Sequence, residues 1–122
     1  MSTEMPIYCA FCRSNNLLRG DVVAENERGY LLRHHPDNGC YLIIPNRHVE
    51  QLVELDDDWW AGFKQLLPKI PNLAPDYNLS LNFGANAGQT VRHLHFWIIP
   101  RESDKPSSGK GLAKLINDAN EE

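Results

Sequence analysis

The chain has 122 residues, of which 42% are hydrophobic and 23% charged, and this composition predicts one globular domain rather than a disordered or collagen-like chain. Its formal net charge of -4 argues against a general binder of nucleic-acid polymers, because such proteins present a dominant basic surface. No apolar run approaches the roughly 18 residues that a membrane helix needs, and residues 1–6 show no secretory signal, so we expect no membrane partner and a cytoplasmic location.

The first half of the chain predicts three strands. Residues 22–24 and 30–32 are apolar and flank the polar stretch 25–29, whose glycine tolerates the positive φ of a tight turn, so they form a hairpin. Residues 41–44 are a third short apolar run. They follow a turn-forming Asp-Asn-Gly at 37–39, which makes them the third strand.

The main helix is predicted from side chains that recur at helical spacing. These apolar residues are Trp59, Phe63, Leu66, Leu67 and Ile70. The run Asp56, Asp57 and Asp58 supplies an N-cap and favourable charge at the start of the helix, and we read it as a helix start rather than a metal site. Pro68 is expected to kink or end the helix.

The second half predicts two more strands and a terminal helix. Residues 77–83 alternate apolar and polar side chains, which places Tyr77, Leu79, Leu81 and Phe83 on one face of a strand. Residues 93–99 form the last strand, and residues 102–111 form an exposed loop. A short helix begins near Leu112 and is expected to fray over residues 117–122. This order of elements predicts an α+β fold with an antiparallel sheet.

A histidine pair in the last predicted strand is the first candidate for chemistry. Because strand residues i and i+2 share a face, His93, His95 and Trp97 point to one side, away from the core. The preceding segment 82–90 has glycines at 84 and 88, whose backbone N–H groups can approach an anion. Gln89 and Thr90 add an amide and a hydroxyl suited to phosphate oxygens.

A Cys-x-x-Cys pair near the start is the second candidate. Three cysteines cannot all pair, which favours a reducing compartment. Cys9 and Cys12 are half of a tetrahedral zinc site that two histidines would complete, and composition does not choose among the five present. The alternatives are buried thiols without a metal and a thioredoxin-like redox pair, although no βαβ pattern surrounds the pair.

The segment Gly88-Gln-Thr-Val-Arg-His-Leu-His-Phe-Trp-Ile-Ile-Pro-Arg101 resembles the signature of the histidine triad (HIT) superfamily of nucleotidyl hydrolases and transferases. The resemblance extends back through residues 41–49 to Cys9, and so covers about 9–101. It implies a HIT-like fold with about five antiparallel strands, a main helix and a short C-terminal helix. It also implies one HIT domain over 1–122 and a homodimer built by sheet extension.

The resemblance implies roles for individual residues. In that family the middle histidine of a His-x-His-x-His run attacks the α-phosphorus of a nucleotide, and by position this residue is His95. The implied substrate is a nucleotide conjugate of the phosphoramidate or dinucleoside polyphosphate type. The positions implied to meet it are Asn82, Gly88, Gln89, Thr90, His93 and Trp97. A structural zinc is implied at Cys9, Cys12, His48 and His93.

The chain departs from the family pattern in three places, two single residues and one short segment. Trp97 stands in place of the third triad histidine, and Cys40 stands where many relatives have a histidine. Residues 33–36, which include His34, replace the acidic residue and apolar neighbour that contact the nucleoside. These departures motivate an alternative, a zinc-stabilised nucleotide-binding module with little turnover. Another alternative makes His93 and His95 ligands of a catalytic metal, which leaves the cysteine pair unused.

Overall fold

The computed structural model describes residues 8–34 and 39–120. The sequence interpretations of residues 1–6, His35, most of the 37–39 turn and the last two residues lie outside this described part. In chain order the elements are β1 (Asp21–Glu25), β2 (Gly29–Arg33), β3 (Tyr41–Pro45), α1 (Asp57–Leu66), β4 (Tyr77–Ser80), β5 (Phe96–Pro100) and α2 (Leu112–Asn120).

The five strands form one antiparallel sheet in the order β1-β2-β3-β5-β4. The predicted hairpin is β1 and β2, and the predicted α+β fold is confirmed. Ile43 in the middle of β3 lies opposite Leu31 of β2 and Phe96 of β5. Its neighbour Leu42 lies opposite Leu32 and Trp97, so alternate rows of the sheet face opposite sides.

Both faces of the sheet are covered by apolar side chains. On one face α1 closes a core formed by Leu31, Ile43, Val49, Trp59, Phe63, Leu66, Ile70, Leu94, Phe96 and Ile98. The other face carries a smaller cluster of Tyr30, Leu32, Leu42 and Ile44, against which Phe11, Leu18 and Trp97 pack. Leu94, Phe96 and Ile98 thus belong to the larger core, whereas Trp97 packs against the smaller cluster on the other face. The candidate site lies on the side of the smaller cluster.

Helix α1 begins where the sequence predicts but ends at Leu66, so Leu67 and Ile70 of the predicted helical face lie beyond it. The Asp56 carboxylate accepts a hydrogen bond from the backbone N–H of Trp59 at 2.9 Å, which makes Asp56 the N-cap. The helix ends at Leu66 and passes into a 3₁₀ turn, Leu67–Lys69, that contains Pro68. Helix α2 continues to Asn120, so residues 117–120, for which fraying is predicted, are helical. Within residues 8–34 and 39–120, no helix is both long enough and apolar enough to span a bilayer.

The last two strands are shorter than the alternation of side chains predicts. β4 ends at Ser80 and, as an edge strand, leaves Leu79 half exposed, so alternation there does not mark burial. β5 begins only at Phe96, so His93 and His95 precede the strand rather than lie within it. The reason is that the N–H of Leu94 donates to the carbonyl of Val49, beyond the end of β3, at 2.7 Å. This bond draws residues 93–95 away from the ladder.

Candidate active site and metal-ligand cluster

Four buried side chains lie close together beside the smaller apolar cluster. They are Cys9, Cys12, His48 and His93, and their potential ligand atoms all lie within 4.8 Å of one another. Sγ of Cys12 lies 3.3 Å from Nδ1 of His48. Sγ of Cys9 and Sγ of Cys12 each lie 3.5 Å from Nδ1 of His93. The structure thus brings together the four residues that the sequence predicts as metal ligands.

Three separate segments supply this metal-ligand cluster. The cysteines lie in the loop before a 3₁₀ turn at Arg13–Asn15, and the side-chain amide of Asn15 donates to the carbonyl of Cys9 at 2.9 Å. His48 follows the end of β3, and His93 precedes the start of β5. Because β3 and β5 are neighbours in the sheet, their ends carry the two imidazoles to the same place.

In both histidines of the cluster, the ring nitrogen that faces away from the cysteines has a hydrogen-bond partner. Nε2 of His48 lies 2.9 Å from Oε2 of Glu50, and Nε2 of His93 lies 2.7 Å from the carbonyl oxygen of Pro45. A carboxylate and a carbonyl can only accept, so each Nε2 carries the proton and each Nδ1 presents a lone pair to the cysteines. Metal-ligating histidines in proteins are oriented by such bonds.

The donor set fits zinc. Zn–S distances of about 2.3 Å and Zn–N distances of about 2.0–2.1 Å in a tetrahedron separate neighbouring ligand atoms by roughly 3.3–3.8 Å. Three of the four sulfur–nitrogen distances are 3.3–3.5 Å and agree with this range. Burial, with a smaller effect of Cys9, raises the pKa of Cys12 to about 12, and burial lowers the pKa of His93 to about 4. A divalent cation would compensate the buried thiolates that ligation requires.

His95 lies beside the cluster but does not belong to it. The side chain is 5% exposed, and Nδ1 donates to the backbone carbonyl of His93 at 2.7 Å. This bond places the lone pair of the neutral ring on Nε2. Burial lowers the pKa of His95, while the same hydrogen bond opposes the shift, so the imidazole is neutral near pH 7. The structure therefore groups His93, and not His95, with the cysteines.

Aromatic rings enclose His95. Phe11 meets its ring edge-on at 4.9 Å between centroids, and Trp97 meets it at 6.0 Å. The ring of His34 lies 5.0 Å from that of Trp97 between centroids. The indole N–H of Trp97 is buried and has no acceptor among the described residues. Sequence reasoning did not single out Phe11, although its position inside the Cys-x-Phe-Cys segment was an available signal.

The glycine loop before His93 is stabilised by a side chain that the sequence predicts as a phosphate contact. Gly84 and Gly88 have φ of +89° and +93° on either side of a 3₁₀ turn at Ala85–Ala87. The Gln89 amide accepts from the N–H of Gly84 at 2.9 Å and donates to the carbonyl of Val91 at 3.0 Å. Gln89 thus fixes the shape of the loop.

The other predicted substrate contacts differ in exposure. The Asn82 amide nitrogen lies 3.5 Å from the position that a Cβ would occupy on Gly88, so these two residues adjoin. Thr90 is exposed, whereas His93 is fully buried with both ring nitrogens facing protein partners. Cys40 is buried at the start of β3, and burial raises the pKa of its thiol.

Comparisons with known proteins place this geometry in context. A family model described as HIT domain matches residues 18–104. The chain is 36% identical over 101 residues to an uncharacterised HIT-like protein of Methanocaldococcus jannaschii, and this match covers 76% of this chain and 78% of that protein. It is 32% identical over 111 residues to an adenosine 5'-monophosphoramidase of Schizosaccharomyces pombe, with 84% of this chain and 81% of that protein covered. A solved HIT family protein of Bacillus anthracis matches with a TM-score of 0.66 at 25% identity, covering 93% of this chain and 94% of the other.

Proposed function

Because the chain belongs to the HIT family, we propose that it is a nucleotidyl hydrolase or transferase in which His95 attacks the α-phosphorus of a nucleotide conjugate. The observation that carries this proposal is the bond from Nδ1 of His95 to the carbonyl of His93. It fixes one tautomer of a buried neutral imidazole, and its Nε2 is the atom with a free lone pair. A neutral imidazole is a competent nucleophile near pH 7.

The proposed chemistry divides one displacement into two steps. In the first, the Nε2 lone pair of His95 forms a bond to the α-phosphorus, and the bond from phosphorus to the leaving amine or phosphate breaks with its electron pair. In the second, the oxygen of water or another acceptor forms a bond to phosphorus, the P–N bond breaks with its electron pair returning to Nε2, and the proton of the acceptor is released to solvent. The N–H groups of Gly88 and Gln89 donate within their own loop, to the carbonyls of Ala85 and Gly84 at 3.0 and 3.1 Å, so we assign them no contact with the phosphoryl oxygens.

We propose a phosphoramidate or a related conjugate of a nucleotide as the substrate. The similarity to the Schizosaccharomyces pombe adenosine 5'-monophosphoramidase supports this class. The dinucleoside polyphosphate class shares the α-phosphate and the nucleoside, and differs only in the leaving group. Comparing release of the nucleoside monophosphate from the two classes distinguishes them.

The decisive experiment looks for the covalent intermediate. The protein is mixed with adenosine 5'-phosphoramidate and quenched, and peptide masses are searched for an acid-labile nucleotidyl group on His95. We expect the adduct in the parent and in a Lys64→Ala control, which changes an exposed side chain of α1, and neither adduct nor turnover in His95→Ala. The expected loss for removal of a nucleophile is roughly 10³-fold or more. Near-native turnover by a folded His95→Ala protein would contradict the mechanism.

We also propose that the metal-ligand cluster holds one structural zinc. The donor set, the ligand separations and the two oriented imidazoles support it. When bound, a zinc ion with four protein ligands supplies folding energy rather than an activated water. Elemental analysis of protein purified without chelators tests this, and absence of metal would contradict it.

We also propose that the protein is cytoplasmic and that it forms a homodimer. The three cysteines are free thiols, which supports a reducing compartment. Strand β4 is at the edge of the sheet with Leu79 and Tyr77 51% and 37% exposed, and an edge of this kind favours pairing with a second copy. We expect light scattering to give twice the chain mass for the parent and the monomer mass for Leu79→Lys.

A further inference from the structure

Glu50 contacts a ligand of the metal cluster from outside it. Its Oε2 lies 2.9 Å from Nε2 of His48, whose opposite nitrogen lies 3.3 Å from Sγ of Cys12. The His48 side chain is 5% exposed, whereas that of Glu50 is 45% exposed. The imidazole therefore lies between a buried sulfur and a carboxylate that reaches water.

The other histidine of the cluster is held differently. Nε2 of His93 bonds to the carbonyl of Pro45, which is neutral and fixed in the sheet. A carbonyl orients the ring, but it brings no full negative charge. A carboxylate both orients the ring and raises the basicity of the ligating nitrogen, because it favours positive charge on the imidazole and on any cation bound to it. Of the two imidazoles, only that of His48 has a charged acceptor.

The backbone of Glu50 is itself fixed. The Glu54 carboxylate accepts from the N–H of Glu50 at 2.9 Å and from the N–H of Gln51 at 2.7 Å, as part of a capping box at the following 3₁₀ turn. The side chain lines a cleft of about 310 Å³ together with Cys9, His48 and Arg92. The cleft leads from solvent to the cluster, so Glu50 stands at its accessible side.

We infer that Glu50 is a positioning residue of the metal centre. It holds His48 in the tautomer whose Nδ1 is the ligand, and its charge compensates the cation, so that metal affinity depends on this exposed carboxylate. The inference rests on the proposed zinc site. It concerns how tightly that site holds a metal and is separate from the role of His95.

Two variants separate orientation from charge. Glu50→Gln keeps an oxygen that accepts from Nε2 but removes the charge, and Glu50→Ala removes both. We expect the zinc Kd, measured by chelator competition, to rise by about 10–100-fold for Glu50→Ala and by less for Glu50→Gln. The absorption spectrum of bound cobalt(II) should shift in Glu50→Ala, because the His48 ring is free to turn. Asp58→Asn, which removes a charge that pairs with Arg28 at 3.1 Å instead, is the matched control with unchanged Kd.

The outcomes distinguish this inference from the zinc proposal itself. A parent protein that binds neither zinc nor cobalt overturns the metal site. A parent that binds zinc tightly while Glu50→Ala binds it within twofold overturns only the role of Glu50. If Glu50→Ala does not fold, Glu50→Gln decides, and a zinc Kd unchanged in that variant overturns the inference.

Discussion

The backbone carbonyl of His93 accepts the Nδ1–H of His95 at 2.7 Å, while the side chain of His93 lies among the potential metal ligands. One residue therefore contributes its ring to the cluster and its main chain to the proposed nucleophile. Its ring is fixed between the two cysteines and the carbonyl of Pro45. Fixing that ring also fixes the carbonyl against which His95 is oriented, so the cluster and the proposed nucleophile are physically connected.

This connection predicts that loss of a cluster ligand affects both stability and turnover. Structural zinc in small sites contributes on the order of 10 kcal/mol of apparent binding free energy, comparable with the whole stability of a domain. We expect Cys12→Ser to melt far below the parent and to lose most activity, and a chelator to lower the melting temperature of the parent but not that of Cys12→Ser. Cys40→Ala is the control, because Cys40 is also buried but lies outside the cluster. Similar melting temperatures for the two variants would contradict a stabilising metal.

A second prediction tests the packing of β2 against α1. A Cβ on Gly29 would lie 2.6 Å from the carbonyl oxygen of Ile44 and 2.7 Å from the Trp59 ring, which are closer than real contacts allow. We expect Gly29→Ala to destabilise the fold by about 1–3 kcal/mol, as overpacking of a core does. Gly111→Ala has open space around its Cβ and should change the free energy of unfolding little. Equal urea midpoints for the two variants would contradict this prediction, because they would mean that β2 and α1 can move apart without a loss in the free energy of unfolding.

The sequence predicted the elements well because their signals are local. Helix α1 follows from the spacing of its apolar residues, an acidic cap at Asp56 and a stop at Pro68, all within one segment. The start of β5 could not be predicted in this way. It depends on the bond from Leu94 to Val49, residues far apart in sequence, and no alternation of side chains reports such a bond.

The candidate site was predicted as a set of residues but not as an arrangement. The motif resemblance identified Cys9, Cys12, His48 and His93, and the structure brings them together. It did not indicate that Gln89 would bond within its own loop. It also gave no role to Glu50, because a glutamate two residues after a histidine is common and becomes informative only when both side chains point the same way.

The pKa of Glu54 gives a prediction of pH dependence. Backbone N–H bonds from Gln51 and Glu50 lower its pKa in the folded protein below the usual value of about 4.3. A group with a lowered pKa stabilises the fold above its unfolded pKa, and this contribution is lost as the pH falls through the folded pKa. We expect Glu54→Gln to be less stable than the parent at pH 7, by less than about 1 kcal/mol because water screens the group.

That difference should shrink as the pH falls through the lowered pKa of Glu54, because the carboxylate of the folded parent then takes up a proton and both side chains become neutral. Urea unfolding of the two proteins at pH 7 and at pH 3.5 measures it. Both proteins have the same metal-ligand cluster, so its contribution cancels in the comparison. A difference that persists unchanged at pH 3.5 would show that the side chain acts through its shape and not through its charge.

The last prediction concerns Trp97, which replaces the third histidine of the family pattern. Its ring packs between His95 and His34, with centroid distances of 6.0 and 5.0 Å, and against the smaller apolar cluster. Its N–H is buried without an acceptor among the described residues, so it is not directed at an open site. An indole also cannot accept a proton as an imidazole can.

We therefore expect the parent to be a slow enzyme in which Trp97 excludes water beside His95 but supplies no proton or charge. A single transition-state hydrogen bond contributes about 10²–10³ in rate, and we expect Trp97→His to raise kcat on adenosine 5'-phosphoramidate by one or two decades. The melting temperature should fall, because the smaller ring leaves part of the apolar cluster uncovered. Trp97→Phe is the control, since it keeps an aromatic ring without a titratable nitrogen, and its kcat should stay near that of the parent. If neither the parent nor Trp97→His turns over substrate while both bind the nucleotide tightly, the protein is a nucleotide-binding module and His95 is not used as a nucleophile.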